Sequence, residues 1–248
     1  AKNGYLLSSQ AQTIANLVKP ALDINQRLAF QMSGYTIGDG TLWSSIKNIN
    51  FGEFIFFCNK GDFYKSKYFT YCPWIKKETT YLNLKNMLKL EINKILENLV
   101  KKANGRTIII PLSAGLDSRL IASGLKKIGY NNVKCFSYGL RNNFESKASK
   151  KIAEKLGFQW KFIEINYTKI RKYFQSNQYK AFFENCNDGC ATPGIQDAYA
   201  IKKLIDEEFI SHQDLIVNGN SGDFISGGHL PVISKEWYVQ NNKHNIID

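Results

Sequence analysis

Between residues 107 and 218 the chain alternates short, nearly all-apolar runs with stretches of helical period. No other feature of its 248 residues restricts the fold as much. Ile108, Ile109 and Ile110 lead the first run, and an unbroken apolar triplet suits a strand covered on both faces rather than one with a wet side. The spacing predicts strands at 107–112, 133–138, 158–165 and 214–218. Helices are expected at 117–128, 145–156 (closed by Gly157), around 168–184 and at 194–206. Strands separated by helices of this length pair in parallel, so the expected class is α/β: a parallel sheet with helices on both faces.

The first third reads differently. Residues 11–28 show helical spacing of Ile14, Leu17, Val18 and Leu22, interrupted by Pro20. An aromatic strand at 51–58 precedes the turn signal Asn59, Lys60, Gly61, with Phe63, Tyr64, Tyr68, Phe69 and Tyr71 beyond it. A smaller antiparallel β region is therefore expected before the α/β part. The character changes near Pro73. A helical stripe of Leu88, Ile92, Ile95, Leu96 and Leu99 then runs to a stop at Asn104 and Gly105. Two domains are expected, 1–80 and 81–248.

Composition excludes several classes. No apolar run approaches the ~20 residues that span a bilayer, and residues 1–5 carry no secretion signal. Cys58, Cys72, Cys135, Cys186 and Cys190 are odd in number, which argues against a disulfide framework and for reduced, cytoplasmic thiols. Cys186 and Cys190 have a spacing a metal could use, but no second pair or nearby His completes four ligands. The net charge of +12 comes from 33 Lys plus Arg against 21 Asp plus Glu, dispersed over helices and never in one dense tract. Charge alone decides nothing about partners.

Two loops carry the chemistry. Ser113, Ala114, Gly115, Leu116, Asp117 and Ser118 join a strand to a helix, where backbone N–H groups and the positive dipole end face whatever sits above. That arrangement seats a phosphate. The second loop follows the last strand, from Asn218 and Gly219 through Gly228 and His229, with four glycines in ten residues. Such glycines let the backbone approach a ligand closely or take positive φ. Each loop has one acid, Asp117 and Asp223, and carboxylates beside a polyphosphate call for a divalent cation between them. Mg²⁺ accepts one or two carboxylates with phosphate oxygens and water. The plain alternative is that Asp117 caps its helix. No lysine follows the glycine, so the loop is not a GxxxxGKS phosphate loop. It suits chemistry in which pyrophosphate leaves and the α-phosphate is attacked.

These residues resemble a known family. Leu112 through Arg119 is similar to the Ser-Gly-Gly-x-Asp-Ser motif of the PP-loop ATP pyrophosphatases, in particular the asparagine synthetase branch. The 218–229 loop resembles that branch's Gly-x-Gly-x-Asp-Glu loop, and Glu145 with Ala148, Ala153 and Gly157 its Glu-x-x-x-Ala helix. Thr41, Leu42, Trp43 and Ile46, then Asn50, Phe51, Gly52 and Glu53, are similar to the tail of a class II glutamine amidotransferase domain.

The resemblance implies a PP-loop (adenine nucleotide alpha hydrolase-like) fold for 81–248 and the C-terminal part of an amidotransferase-like β domain for 1–80. It implies an ATP-dependent, amide-forming carbon–nitrogen ligase that adenylates a small-molecule carboxylate, with ammonia or glutamine as nitrogen donor. Ser113, Ala114, Gly115, Leu116, Asp117 and Ser118 would hold pyrophosphate. Leu112, Tyr138, Asn218 and Gly219 would line the adenosine pocket, and Asp117 and Asp223 would bind Mg²⁺. Ala114, Ser221, Phe224 and His229 depart from the motifs, residue 1 is Ala rather than the amidotransferase Cys, and only about twenty residues follow Gly228. A fragment of a longer protein is expected. Two other readings stay open: a PP-loop enzyme acting on tRNA, and a non-catalytic nucleotide-binding relative. The Tyr/Phe-rich segment, accounted for by the amidotransferase remnant, counts against nucleic acid as a partner. Nothing points to a membrane, and there is room for a homodimer.

Overall fold

The computed structural model describes residues 4–58, 62–72 and 78–222. The chain divides into two compact units, Ala1–Pro73 with Arg171–Asp197, and Trp74–Ile170 with Ala198–Asp248. The turn signal at 59–61 and the loop beyond Gly222 lie outside the described residues.

In the first unit, helix α1 (Ala11–Val18) stops at Lys19, which takes a left-handed φ of 49° ahead of Pro20. Helix α2 (Ile24–Ser33) restarts on Asp23, whose carboxylate accepts from the Gln26 amide at 3.0 Å. Strands β1 (Glu53–Phe57) and β2 (Phe63–Lys67) form an antiparallel ribbon, with Glu53 opposite Lys67 and Phe57 opposite Phe63. Lys65 lies 2.9 Å from Glu53, and that hydrogen bond holds the Glu53 carboxyl below the ordinary range.

The second unit opens on α3 (Tyr81–Ala103), which the Asn104 cap ends in a left-handed conformation. Then follow β3 (Ile108–Pro111), α4 (Leu116–Lys127), β4 (Val133–Gly139), α5 (Phe144–Leu156) and β5 (Gln159–Glu164). Helix α6 (Tyr167–Phe174) runs across the unit boundary, and α7 (Asn177–Cys186) belongs to the first unit. Helix α8 (Ala198–Asp206) and strand β6 (Leu215–Ile216) complete the second.

The four strands stand in the order β5-β4-β3-β6, all parallel. Period-two alternation assigns the faces. Ile108, Ile110, Leu112, Val133 and Cys135 join a core with Leu96 of α3, Ala122 and Leu125 of α4, and Ala153 of α5. Burial there pushes the Cys135 thiol up to about 12, so it remains a neutral core residue. Ile109 and Phe136 point the other way and are also fully buried, while Lys134 on that face lies 5.2 Å over the Phe209 ring. Helices therefore flank both faces, as the Ile108–Ile110 run requires.

Leu125 is completely enclosed between α4 and the sheet. Leu125→Ala is expected to destabilise the chain by about 2–5 kcal/mol, read from the urea midpoint. A loss below about 1 kcal/mol would mean that this helix does not rest on the sheet as described.

Candidate functional site

Strand order decides where two loops can meet. From β3 the chain crosses through α4 to β4 on one side, whereas β6 pairs with β3 on the other. The order thus reverses at β3, and in open parallel sheets the crevice beyond the carboxyl ends at such a reversal is where ligands bind. The loops leaving β3 and β6 are the two that the sequence singles out.

The first loop is braced from within. Leu112 extends the ladder, donating its amide to the Phe136 carbonyl at 2.8 Å, and its side chain is buried in the core. The Ser113 amide donates to Ser118 Oγ at 3.1 Å, the two hydroxyls lie 3.1 Å apart, and the Gly115 amide donates to Ser113 Oγ at 3.0 Å. Ser118 is almost fully buried. Helix α4 then starts on Gly115, which offers no side chain to cap it. The first amides of a helix have no partner inside it, so those of α4 are directed outward beside a dipole end of about half a positive charge. Ala114 is not among the residues with positive φ, and a methyl group in place of a glycine hydrogen costs no backbone strain there.

Asp117 does not cap the helix. It is the second residue of α4, accepts no capping hydrogen bond, and pairs with no cation among the described residues. The carboxylate is partly exposed. What meets it is the second loop. A Cβ placed on Gly219 would stand 2.9 Å from Asp117 Cβ and 2.9 Å from the Ser118 amide nitrogen, and one on Gly222 would overlap the Asp117 carboxyl group. Neither glycine has positive φ. Both are small because the loops touch. Gly222 N–H donates to the Gly219 carbonyl at 3.0 Å, and the Asn220 amide to Asn218 Oδ1 at 3.3 Å.

Of the residues expected to bind nucleotide, Ser113 through Ser118, Asn218 and Gly219 are brought together at the ends of β3 and β6. Tyr138 lies near the end of β4, partly buried, its ring 6.3 Å from that of Phe136. Leu112 can face a ligand only through its backbone, because its side chain fills the core. Asp223, expected from the sequence as the second metal ligand, lies outside the described residues, as do Phe224 and His229. Among the described residues no group of three His, Cys, Asp or Glu side chains could hold a metal. The Asp117 carboxylate, a hard oxygen donor with no cation partner among the described residues, fits Mg²⁺ shared with phosphate oxygens.

Sequence reasoning gave no role to two residues at this edge. Ser137 Oγ, on β4, is buried with no hydrogen-bond partner among the described residues. Arg119 donates Nε–H to the Gly115 carbonyl at 3.2 Å, so its guanidinium is tied to the first loop. A polar residue inside an apolar strand run, and a charged one in the opening turn of a helix, were the available signals.

The fold and the paired loops define an α/β chain of nucleotide-binding type. The asparagine synthase family model matches residues 91–245, well over half of the chain, and the chain belongs to that family of ATP-using, ligase-type enzymes. No curated protein sequence matches. Among solved structures, NH3-dependent NAD synthetase from Campylobacter jejuni is 15% identical, with a TM-score of 0.38 over 57% of this chain and 59% of that one. A predicted subunit of tRNA methyltransferase from Methanocaldococcus jannaschii is 22% identical, with a TM-score of 0.27 over 46% and 52%. The chain therefore spans less than two thirds of either, and these likenesses carry no weight below.

The loop contact makes a local prediction. Gly219→Ala should lower stability by about 1–3 kcal/mol, because the added carbon meets backbone that cannot step aside. Gly194→Ala, with open space around it, should stay within about 0.5 kcal/mol. Equal urea midpoints for the two variants would contradict the contact.

Proposed function

We propose that the domain formed by residues 81–248 activates a carboxylate with ATP and passes it to a nitrogen nucleophile, forming an amide. A carboxylate oxygen bonds to the α-phosphorus as the bond to the bridging oxygen breaks, and pyrophosphate leaves. The nitrogen then bonds to the acyl carbon, AMP departs, and the nitrogen gives up its proton. The observation that carries this reading is the convergence of Gly219 and Gly222 on Asp117 beside an uncapped helix start. Membership of the asparagine synthase family supports it.

Ser113 through Ser118 hold the diphosphate through outward amides, while the Ser113 and Ser118 hydroxyls keep the turn in shape. Leu112, through its carbonyl, with Tyr138, Asn218 and Gly219, borders the adenosine. Asp117 is one Mg²⁺ ligand, and Asp223, next in sequence after Gly222, is the second. Bound there, the ion neutralises phosphate charge that would otherwise repel the carboxylates. Ammonia or glutamine supplies the nitrogen, and residues 1–80 are the C-terminal part of a glutamine amidotransferase-like domain. The aromatic ribbon of β1 and β2 is the feature of that segment which agrees with this reading.

Two measurements test the proposal. Asp117→Asn should remove the Mg²⁺ dependence of ATP binding and weaken it by about tenfold or more, with the melting temperature unchanged. Undiminished Mg²⁺-dependent affinity would exclude Asp117 as a ligand. ATP–pyrophosphate exchange with a panel of carboxylic acids tests the chemistry: at least one acid should support exchange, and binding of ATP without exchange for any acid would favour a non-catalytic relative.

A further inference from the structure

We propose that Arg119 supplies the side-chain cation for the departing diphosphate, the part that a phosphate-loop lysine plays elsewhere; this rests on the nucleotide reading above. Arg119 is the fourth residue of α4, and side chains on a helix lean toward its N-terminus. The Nε–H bond to the Gly115 carbonyl fixes that direction in fact, holding the guanidinium against the loop whose amides face outward.

Among the described residues its terminal nitrogens have no hydrogen-bond partner. Among the described residues no carboxylate pairs with Arg119, and Asp117, two residues away, does not reach it. The other arginines of the second unit are occupied: Arg106 donates to the Ala103 and Lys102 carbonyls, and Arg141 lies 2.8 Å from Glu164. A planar fork of donors matches adjacent phosphate oxygens and stays charged at any working pH. The electrostatic need is plain. A helix end offers about half a charge and the loop from Ser113 to Ser118 contains no lysine or arginine, so a multiply charged diphosphate is left short of cations.

A purely structural role, stapling the loop through Gly115, makes a different prediction. A staple would affect every ligand of the loop alike, whereas a phosphate cation acts on diphosphate and spares a ligand that lacks it. The test is calorimetric titration of the 248-residue chain with Mg²⁺–pyrophosphate, Mg²⁺–ATP and AMP. For Arg119→Gln, affinity for pyrophosphate and ATP should fall by about tenfold or more, with AMP within about twofold. Arg119→Lys, which keeps the charge and loses the fork, should recover part of the loss. Equal binding of pyrophosphate by Arg119→Gln and the parent chain would overturn the inference, as would a loss of the same size for AMP. Should Arg119→Gln fail to fold, the ratio of pyrophosphate to AMP affinity in Arg119→Lys decides: a reduced ratio supports the inference and an unchanged one overturns it. If the unaltered chain binds neither pyrophosphate nor ATP, the nucleotide reading itself falls, a result separate from the behaviour of Arg119.

Discussion

Backbone contact between two loops organises this molecule's candidate site. Gly219 and Gly222 lie so close to Asp117 and Ser118 that neither position admits a side chain. That closeness depends on β6 pairing with β3 rather than with β5, because only then do the two loops leave neighbouring strand ends. The pairing in turn rests on Ile108, Ile109 and Ile110, which are fully buried and give β3 a covered surface on both sides. Burial of a plain apolar strand thus fixes where the polar chemistry sits.

Around this contact the polar groups divide into those facing in and those facing out. The Ser113 and Ser118 hydroxyls bond one another and accept from the Ser113 and Gly115 amides, bracing the turn from within. The opening of α4, lacking any side-chain cap, leaves its amides directed outward, with the Asp117 carboxylate and the Arg119 guanidinium beside them. Among the described residues this acid and this cation do not pair, and beside the uncapped helix start they suit a ligand that carries phosphate and brings a cation with it.

Much of the fold was legible in the sequence because each element is locally consistent. The Ile108–Ile110 run, the Gly157 stop and the Asn104 stop mark structure that propensity and tertiary packing both favour. Boundaries moved where local chemistry intervened. The helix expected over 168–184 divides at Ser176, whose hydroxyl caps α7 by accepting from the Tyr179 amide at 3.1 Å. The helix expected from 194 begins at Ala198, after Pro193 and Gly194. The strand expected over 214–218 keeps only Leu215 and Ile216 in regular pairing, since among the described residues it has a neighbour on one side alone. The association of 171–197 with the first unit was not legible. It is made by long-range contacts such as Thr36 N–H to the Cys190 carbonyl, and by Gly189, whose φ of 72° and proximity to the Trp43 ring exclude any other residue. The two loops were recognised from composition, but the reason for their glycines was not. A side chain at Gly219 or Gly222 would meet Asp117, and no periodicity encodes a contact between loops so far apart in the chain.

The most direct measurement of the central claim is amide hydrogen exchange at Leu116, Asp117 and Ser118, with and without Mg²⁺ and pyrophosphate. If these amides grip the diphosphate, their exchange slows on addition of the pair, while that of the α5 opening turn does not change. Unaltered exchange at all three, under conditions where pyrophosphate is bound, would contradict it.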